Sequence, residues 1–278
     1  MQNPSTKSDN APSADSLARF KESQREGWVH FAPLEAITTP TAAELVRRAS
    51  PRAGQRVLDV ACGTGVVAVT AARLGARVTG LDLTPELLER ARENSRIAGV
   101  DIEWHQGDVE QLPFAGRTYD IVLSQFGHMF APRPEVAIAE MLRVLKPGGI
   151  IAFSTWPPEL CVGRLFALTG RYLPPPPPGI VPPHLWGDPN VVRERLGDSI
   201  KDLRFDRATM RVAALSLQHH RTAFEKTSGP ILKLVDTLAA TDPSKLETFR
   251  REYEAIVADY FADNILRLDF LITRATKT

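Results

Sequence analysis

The sequence predicts an α/β protein built on a doubly wound, mostly parallel sheet. Three observations carry this. Short apolar runs alternate with helical stretches from Arg56 to Thr155. A glycine turn, Gly63-Thr64-Gly65, follows the first run, and a carboxylate, Asp82, ends the second. Such alternation implies βαβ units with right-handed crossovers. In sheets of this kind ligands bind at the carboxyl ends of the strands.

Taken in order, residues 1–15 (MQNPSTKSDNAPSAD) are polar and rich in Ser, Asn and Pro, and read as a disordered tail. Helical patterning starts near Leu17, and Trp28, Val29 and Phe31 form an aromatic cluster. Thr39 opens a helix with Pro40 in its first turn. Arg56–Val60 is a short apolar strand, Gly63–Leu74 a helix and Arg77–Asp82 a second strand. Thr84, Pro85 and Glu86 start a helix that Gly99 ends. Ile102–His105 and Tyr119–Ser124 are strands, Pro134–Leu145 a helix and Gly149–Thr155 a strand.

Beyond Trp156 the pattern changes. The stretch YLPPPPPGIVPPHLW, Tyr172–Trp186, supports neither a helix nor a central strand, because proline lacks the N–H donor. It reads as a stiff loop or lid. Asp188–Gly197 is a short helix and Leu203–Val212 a strand. Thr222–Ala240 and Pro243–Ala262 are two helices, and Leu266–Ala275 closes the chain as a strand.

The chain has 278 residues, 43% hydrophobic and 24% charged, enough for one sizeable folded unit with a buried core. Its net charge of +1 sets up no strong field for nucleic acid or a membrane. No apolar run approaches the roughly 20 residues that span a bilayer, and the polar N-terminus lacks a secretory h-region. Cys62 and Cys161 show neither disulfide-framework nor zinc spacing, which suits a reducing cytosol.

The glycine turn lets ligand atoms approach the backbone and aims helix N–H groups at them. Alone it also fits a tight strand–helix connection without a ligand. Asp82 lies 17 residues beyond Gly65, where a carboxylate can accept both ribose hydroxyls or simply cap a helix. Asp59 discriminates between nucleosides. It precedes Gly63 by four residues, where it would repel a dinucleotide pyrophosphate but attract the α-ammonium of S-adenosylmethionine. A structural role in accepting backbone N–H groups is the other reading of Asp59.

Five segments in order, VLDVACGTG, LDLTPELLERAR, GDVEQLPF, YDIVLSQFGHMF and MLRVLKPGGIIAFSTW, resemble class I S-adenosylmethionine-dependent methyltransferases. The likeness is to the group that includes the ubiquinone and menaquinone methyltransferases, and is strong over about residues 40–156. It implies a Rossmann-like seven-stranded sheet with the last strand antiparallel, preceded by N-terminal helices. On this reading residues 16–278 are one methyltransferase domain, with a substrate-cap region at about 157–262 and a closing strand at about 265–275. The resemblance gives Asp59, Gly63 and Gly65 the methionine portion and Asp82 the ribose, with Leu83 packing on the adenine. Asp108 would accept from the adenine amine, Val109 would offer its N–H to the ring, and Ser124 and Gln125 would lie beneath the sulfonium.

The implied reaction places a methyl group on a small, apolar or aromatic acceptor, with S-adenosyl-L-methionine as cofactor, no metal and no nucleic-acid partner. A homodimer is compatible with this, and no oligomeric state follows from it. His128, after the fourth strand, is the best candidate for a general base. His30, His184 and the pair His219–His220 are weaker. Trp28, Phe31, Phe126, Met129, Phe130 and Trp156 are candidates for an apolar acceptor pocket, where aromatic faces also attract a sulfonium. Two alternatives stay open: a non-catalytic S-adenosylmethionine-binding protein, and an NAD-dependent oxidoreductase. Asp59 and the absence of a Tyr-x-x-x-Lys pair count against the second.

Overall fold

Five parallel strands form the centre of the sheet in the computed structural model, which describes residues 12–278. They are β1 (Arg56–Val60), β2 (Arg77–Asp82), β3 (Ile102–Gln106), β4 (Tyr119–Gln125) and β5 (Leu145–Thr155). Two long strands complete it, β6 (Ile200–Ala213) and β8 (Ile265–Lys277), and the two-residue β7 (Phe261–Ala262) pairs with β8. The order is β3-β2-β1-β4-β5-β8-β6, with β8 antiparallel to both neighbours. The predicted seven-stranded path with an antiparallel last strand is therefore present, and β7 is an addition. Asp263 and Asn264, both at positive φ, make the β7–β8 turn.

Strand order reverses between β1 and β4, so their carboxyl ends splay apart and leave a crevice. Val57, Leu58, Asp59 and Val60 are all buried, which is why β1 reads as a continuous apolar run rather than an alternation. Helices α2 (Glu35–Ala49), α3 (Val66–Ala72), α4 (Pro85–Ala98) and α5 (Pro134–Val144) flank this half. Helices α6 (Cys161–Tyr172), α7 (Pro189–Leu196), α8 (Leu217–Thr227), α9 (Gly229–Thr241) and α10 (Pro243–Ala258) belong to the other. Helix α1 (Ala14–Trp28) packs on α9. Among the described residues, no helix is long and apolar enough to cross a membrane.

Several predicted boundaries are corrected. The tail expectation for residues 1–11 lies outside the described residues, but Asp15 is already helical. Helix α1 starts at Ala14, and its N-cap Ser13 accepts from the Ser16 N–H at 3.2 Å. Helix α2 starts at Glu35 rather than after Thr39, because the 3₁₀ turn Val29–Leu34 feeds directly into it and leaves Pro40 in its interior. Helix α3 starts only at Val66, since Gly63 and Gly65 have positive φ and cannot be helical. The first of the two predicted late helices is two, α8 and α9, broken at Ser228-Gly229. A Cβ on Gly229 would lie 2.4 Å from the Gly27 backbone of α1, so the break lets two chain segments touch. The second, α10, ends at Ala258, before the turn into β7.

The proline stretch is the expected loop, and it does not line the crevice as a lid would. Tyr172 ends α6, and the segment runs to a 3₁₀ turn, Pro183–Gly187, whose Trp186 is buried against Phe153 and His128. That anchor holds the segment away from the crevice. The crevice is instead covered by α1 and the 3₁₀ turn after it.

Candidate active site

The loop after β1 is held by its own backbone and by two carboxylates. The Gly63 N–H donates to Asp82 Oδ2 at 2.8 Å, and the Thr84 N–H to Asp82 Oδ1 at 2.9 Å. The Ala68 N–H donates to Asp59 Oδ2 at 3.0 Å. From α4, Asn94 donates to the Thr64 carbonyl at 2.9 Å and also to Glu35, which Arg90 pairs. The turn is thus braced from both sides before anything binds.

Burial raises the pKa of Asp82, opposed by the Thr84 and Gly63 N–H groups. Burial raises that of Asp59 further, opposed by the Ala68 N–H and reinforced by the negative charge of Asp82. The second oxygen, Asp59 Oδ1, is buried without a partner. Leaving such an acceptor unsatisfied is costly. An ammonium donor from the crevice would satisfy it, so the residues present fit an amino-acid-bearing nucleoside.

A cavity of about 220 Å³ opens over this loop, many times the ~10–15 Å³ that one water needs. Its first half is walled by Asp59, Gly63, Asp82, Leu83, Asp108 and Val109. Its second half is carbon-rich, with Phe126, Trp156, Phe166, Met210 and Leu268 among its walls. Trp28 and Phe31 cover it from the N-terminal side. Phe126 and Trp156 stack with centroids 4.1 Å apart and planes within 10°. Phe126 is held at φ +60, a left-handed backbone costing ~1–3 kcal/mol, by that stack and by its N–H bond to the Ser154 carbonyl at 3.0 Å.

The predicted residues do not all converge. Asp108 lines the cavity, but its Oδ2 is paired with Lys21 Nζ of α1 at 2.5 Å and its Oδ1 accepts from the Glu110 N–H. Lys21 also holds the buried Glu110. Gln125 reaches the wall, with its amide N–H bonds going to the Thr38 carbonyl and Thr41 Oγ1 and its carbonyl oxygen unpartnered. Ser124 does not reach it: its hydroxyl donates to the Val60 carbonyl at 2.7 Å and joins β4 to β1.

His128 is likewise turned away from the cavity. Its ring is fully buried between Phe153 and Trp186, at 4.6 and 4.8 Å, with neither nitrogen partnered. Burial, with the Arg195 charge nearby, pushes its pKa down to about 3. His128 follows the left-handed step at Phe126, where the chain leaves β4, whereas Ser124 lies within β4 and is held toward β1 by its hydrogen bond. Met129 is in the core, while Phe130 lines the cavity. His30 and His184 stand outside the wall. His219 accepts from the Leu215 N–H, and His220 lies 3.3 Å from the Tyr253 hydroxyl. Among the described residues, no three His, Cys, Asp or Glu side chains are grouped to hold a metal ion.

Sequence reasoning missed Lys21, Val162, Phe166, Met210, Phe224 and Leu268, all in the wall. For two of them a signal existed. Val162 and Phe166 stand four apart in CVGRLFALTGRY, beside the buried stripe Cys161, Leu165 and Leu168 of α6.

Residues 58–153 match the family model described as a methyltransferase domain. The chain is 34% identical to the Mycobacterium tuberculosis protein Rv1403c over 257 residues, 91% of this chain and 93% of that one. It is 34% identical over 143 residues to a ubiquinone biosynthesis O-methyltransferase of Nitrosococcus oceani, covering 50% of this chain and 60% of the relative. Its fold superposes on phosphoethanolamine N-methyltransferase 2 of Haemonchus contortus, solved with S-adenosyl-L-methionine. The TM-score is 0.57 at 18% identity, covering 95% of this chain and 59% of that one.

Proposed function

Since the chain belongs to the class I S-adenosylmethionine-dependent methyltransferases, we propose that it methylates a small, apolar or aromatic acceptor held in the carbon-rich half of the cavity. Its cofactor is S-adenosylmethionine. The observation that carries the acceptor reading is the wall around the Phe126–Trp156 stack, with Phe166, Met210 and Leu268 beside it. Residues 157–262, which supply α6, β6 and α8, are the region we assign to acceptor choice.

In this reading Asp59 takes the cofactor ammonium on its free oxygen and Asp82 takes the ribose hydroxyls. Leu83 and Val109 flank the adenine, and Asp108 accepts its amine once Lys21 yields. When bound, the cofactor supplies a methyl group already activated on a cationic sulfur. The residues of the chain then orient, enclose and exclude water. Orientation of this kind supplies roughly 7–11 kcal/mol of a barrier. The deciding experiment is calorimetric titration with S-adenosylhomocysteine and with NAD, followed by transfer of labelled methyl groups to a panel of apolar acceptors. Uptake of NAD alone would overturn the reading, and cofactor binding without transfer to any acceptor would favour a non-catalytic binder.

Two further outcomes are expected. Only ionised Asp59 attracts the ammonium, and its pKa is raised. Cofactor affinity should therefore fall as pH drops through that raised value, and Asp59→Asn should flatten this acid limb in a pH series of titrations. His128→Phe should leave the pH–rate profile unchanged around neutrality, because His128 is already uncharged there and lies off the cavity. Its stability should change by no more than about 1 kcal/mol, since two unpartnered ring nitrogens are lost from an apolar site.

A further inference from the structure

The charges of the cavity are segregated. Asp59, Asp82 and Asp108, at and beyond the ends of β1, β2 and β3, all belong to the nucleoside half, and Lys21 is bound to Asp108 there. In the acceptor half, Phe126 after β4 and Trp156 after β5 face Val162 and Phe166 of α6, Met210 of β6, Phe224 of α8 and Leu268 of β8. The polar groups nearest this half are those of Gln24, Thr38, Gln125 and Ser228, and the Gln125 carbonyl oxygen has no partner. Gln24 donates to the Phe130 carbonyl, Thr38 to the Leu34 carbonyl, and Gln125 to Thr38 and Thr41. None of the four is basic at neutral pH. The neighbouring imidazole, His128, is enclosed by Phe153 and Trp186 and does not line the cavity.

From this segregation we infer that the acceptor is an apolar acid whose own conjugate base is the nucleophile, a carboxylate, phenolate or thiolate, and that it binds after the cofactor. The inference rests on the function proposed above and specifies its substrate. An apolar wall penalises an isolated ion by several kcal/mol, so an anion enters only where an opposite charge is already seated. The cofactor's sulfonium is that charge. Transfer then cancels both charges, which a low-dielectric wall favours over a transfer that ends on a new cation. The acceptor's proton leaves to solvent before the anion is enclosed. A bond forms between its oxygen or sulfur and the methyl carbon as the carbon–sulfonium bond breaks, and that electron pair stays on sulfur as a neutral thioether.

The test uses the full chain in two loaded forms, with neutral S-adenosylhomocysteine and with an unreactive cofactor analogue carrying an amine cation in place of the sulfonium. The probe is 4-nitrophenol, whose anion is yellow and whose acid is colourless. The yellow anion should bind about tenfold or more tightly to the cation-loaded protein, and its colour should persist to lower pH there. With S-adenosylmethionine and ring-substituted thiophenols, the midpoint of the pH dependence of kcat/KM should move with each thiol's own pKa. Carboxylic acids in the same panel separate oxygen from sulfur acceptors. Equal anion affinity in the two loaded forms, or one midpoint shared by all thiols, would overturn the inference. If both cofactor forms bind but no acid does, the inference falls and the methyltransferase reading stands. If neither cofactor form binds, both fall together.

Discussion

Gly65→Val is expected to abolish measurable cofactor binding and to destabilise the fold by about 2–5 kcal/mol. Gly65 sits at φ +79, and a Cβ there would lie 2.5 Å from the Trp104 indole and 3.1 Å from the Ala91 Cβ. A left-handed non-glycine residue costs about 1–2 kcal/mol, and overpacking adds about 1–3 kcal/mol. Trp104 cannot swing aside cheaply, because the same ring also covers Gly80, where a Cβ would come within 2.3 Å of it. The cofactor is lost because the turn that presents the Gly63 N–H and braces Asp82 is displaced. Denaturant unfolding alongside titration checks this. Pairing the substitution with Trp104→Leu should recover the steric part and leave the backbone part. Wild-type stability in Gly65→Val would show that the turn adapts and that the close packing is unimportant.

Asp82→Ala is expected to weaken cofactor binding by about 10- to 100-fold, with a much smaller effect on stability. The affinity loss corresponds to charge-assisted bonds of about 1.5–3 kcal/mol to the ribose hydroxyls. The stability change is limited by two opposing contributions. The Gly63 and Thr84 N–H groups lose their acceptor, but a buried carboxylate with a raised pKa is also removed. Titration with S-adenosylhomocysteine and thermal unfolding measure the two effects separately. Unchanged affinity would remove Asp82 from the ribose.

Much of the Rossmann-like half was legible because its signals are local. β1 and β2 lie where their apolar runs predict, and α4 runs from Pro85 to its left-handed Gly99 cap as its start and stop residues imply. The carboxylates Asp59 and Asp82 converge on one loop because spacing along a strand–turn–helix–strand unit determines where they arrive. Less legible were features that depend on distant partners. The α8–α9 break answers to Gly27, some 200 residues earlier in the chain. Trp186 turned a proline-rich stretch predicted as a stiff loop or lid into a loop anchored beside β5, because its indole found Phe153.

By itself the sequence determined the sheet, the glycine turn and the placement of Asp59 and Asp82 beside it, since strand periodicity and turn chemistry act within a few residues. Only the tertiary structure decided which way the chain leaves β4. A left-handed step at Phe126, stabilised by its stack on Trp156, follows β4, and beyond it His128 is buried off the cavity while Ser124 within β4 bonds to β1. Tertiary structure also decided the carbon-rich wall of the cavity and the Lys21–Asp108 pair. Each joins groups far apart in sequence, and the free energy that holds them together exists only once the intervening chain has packed.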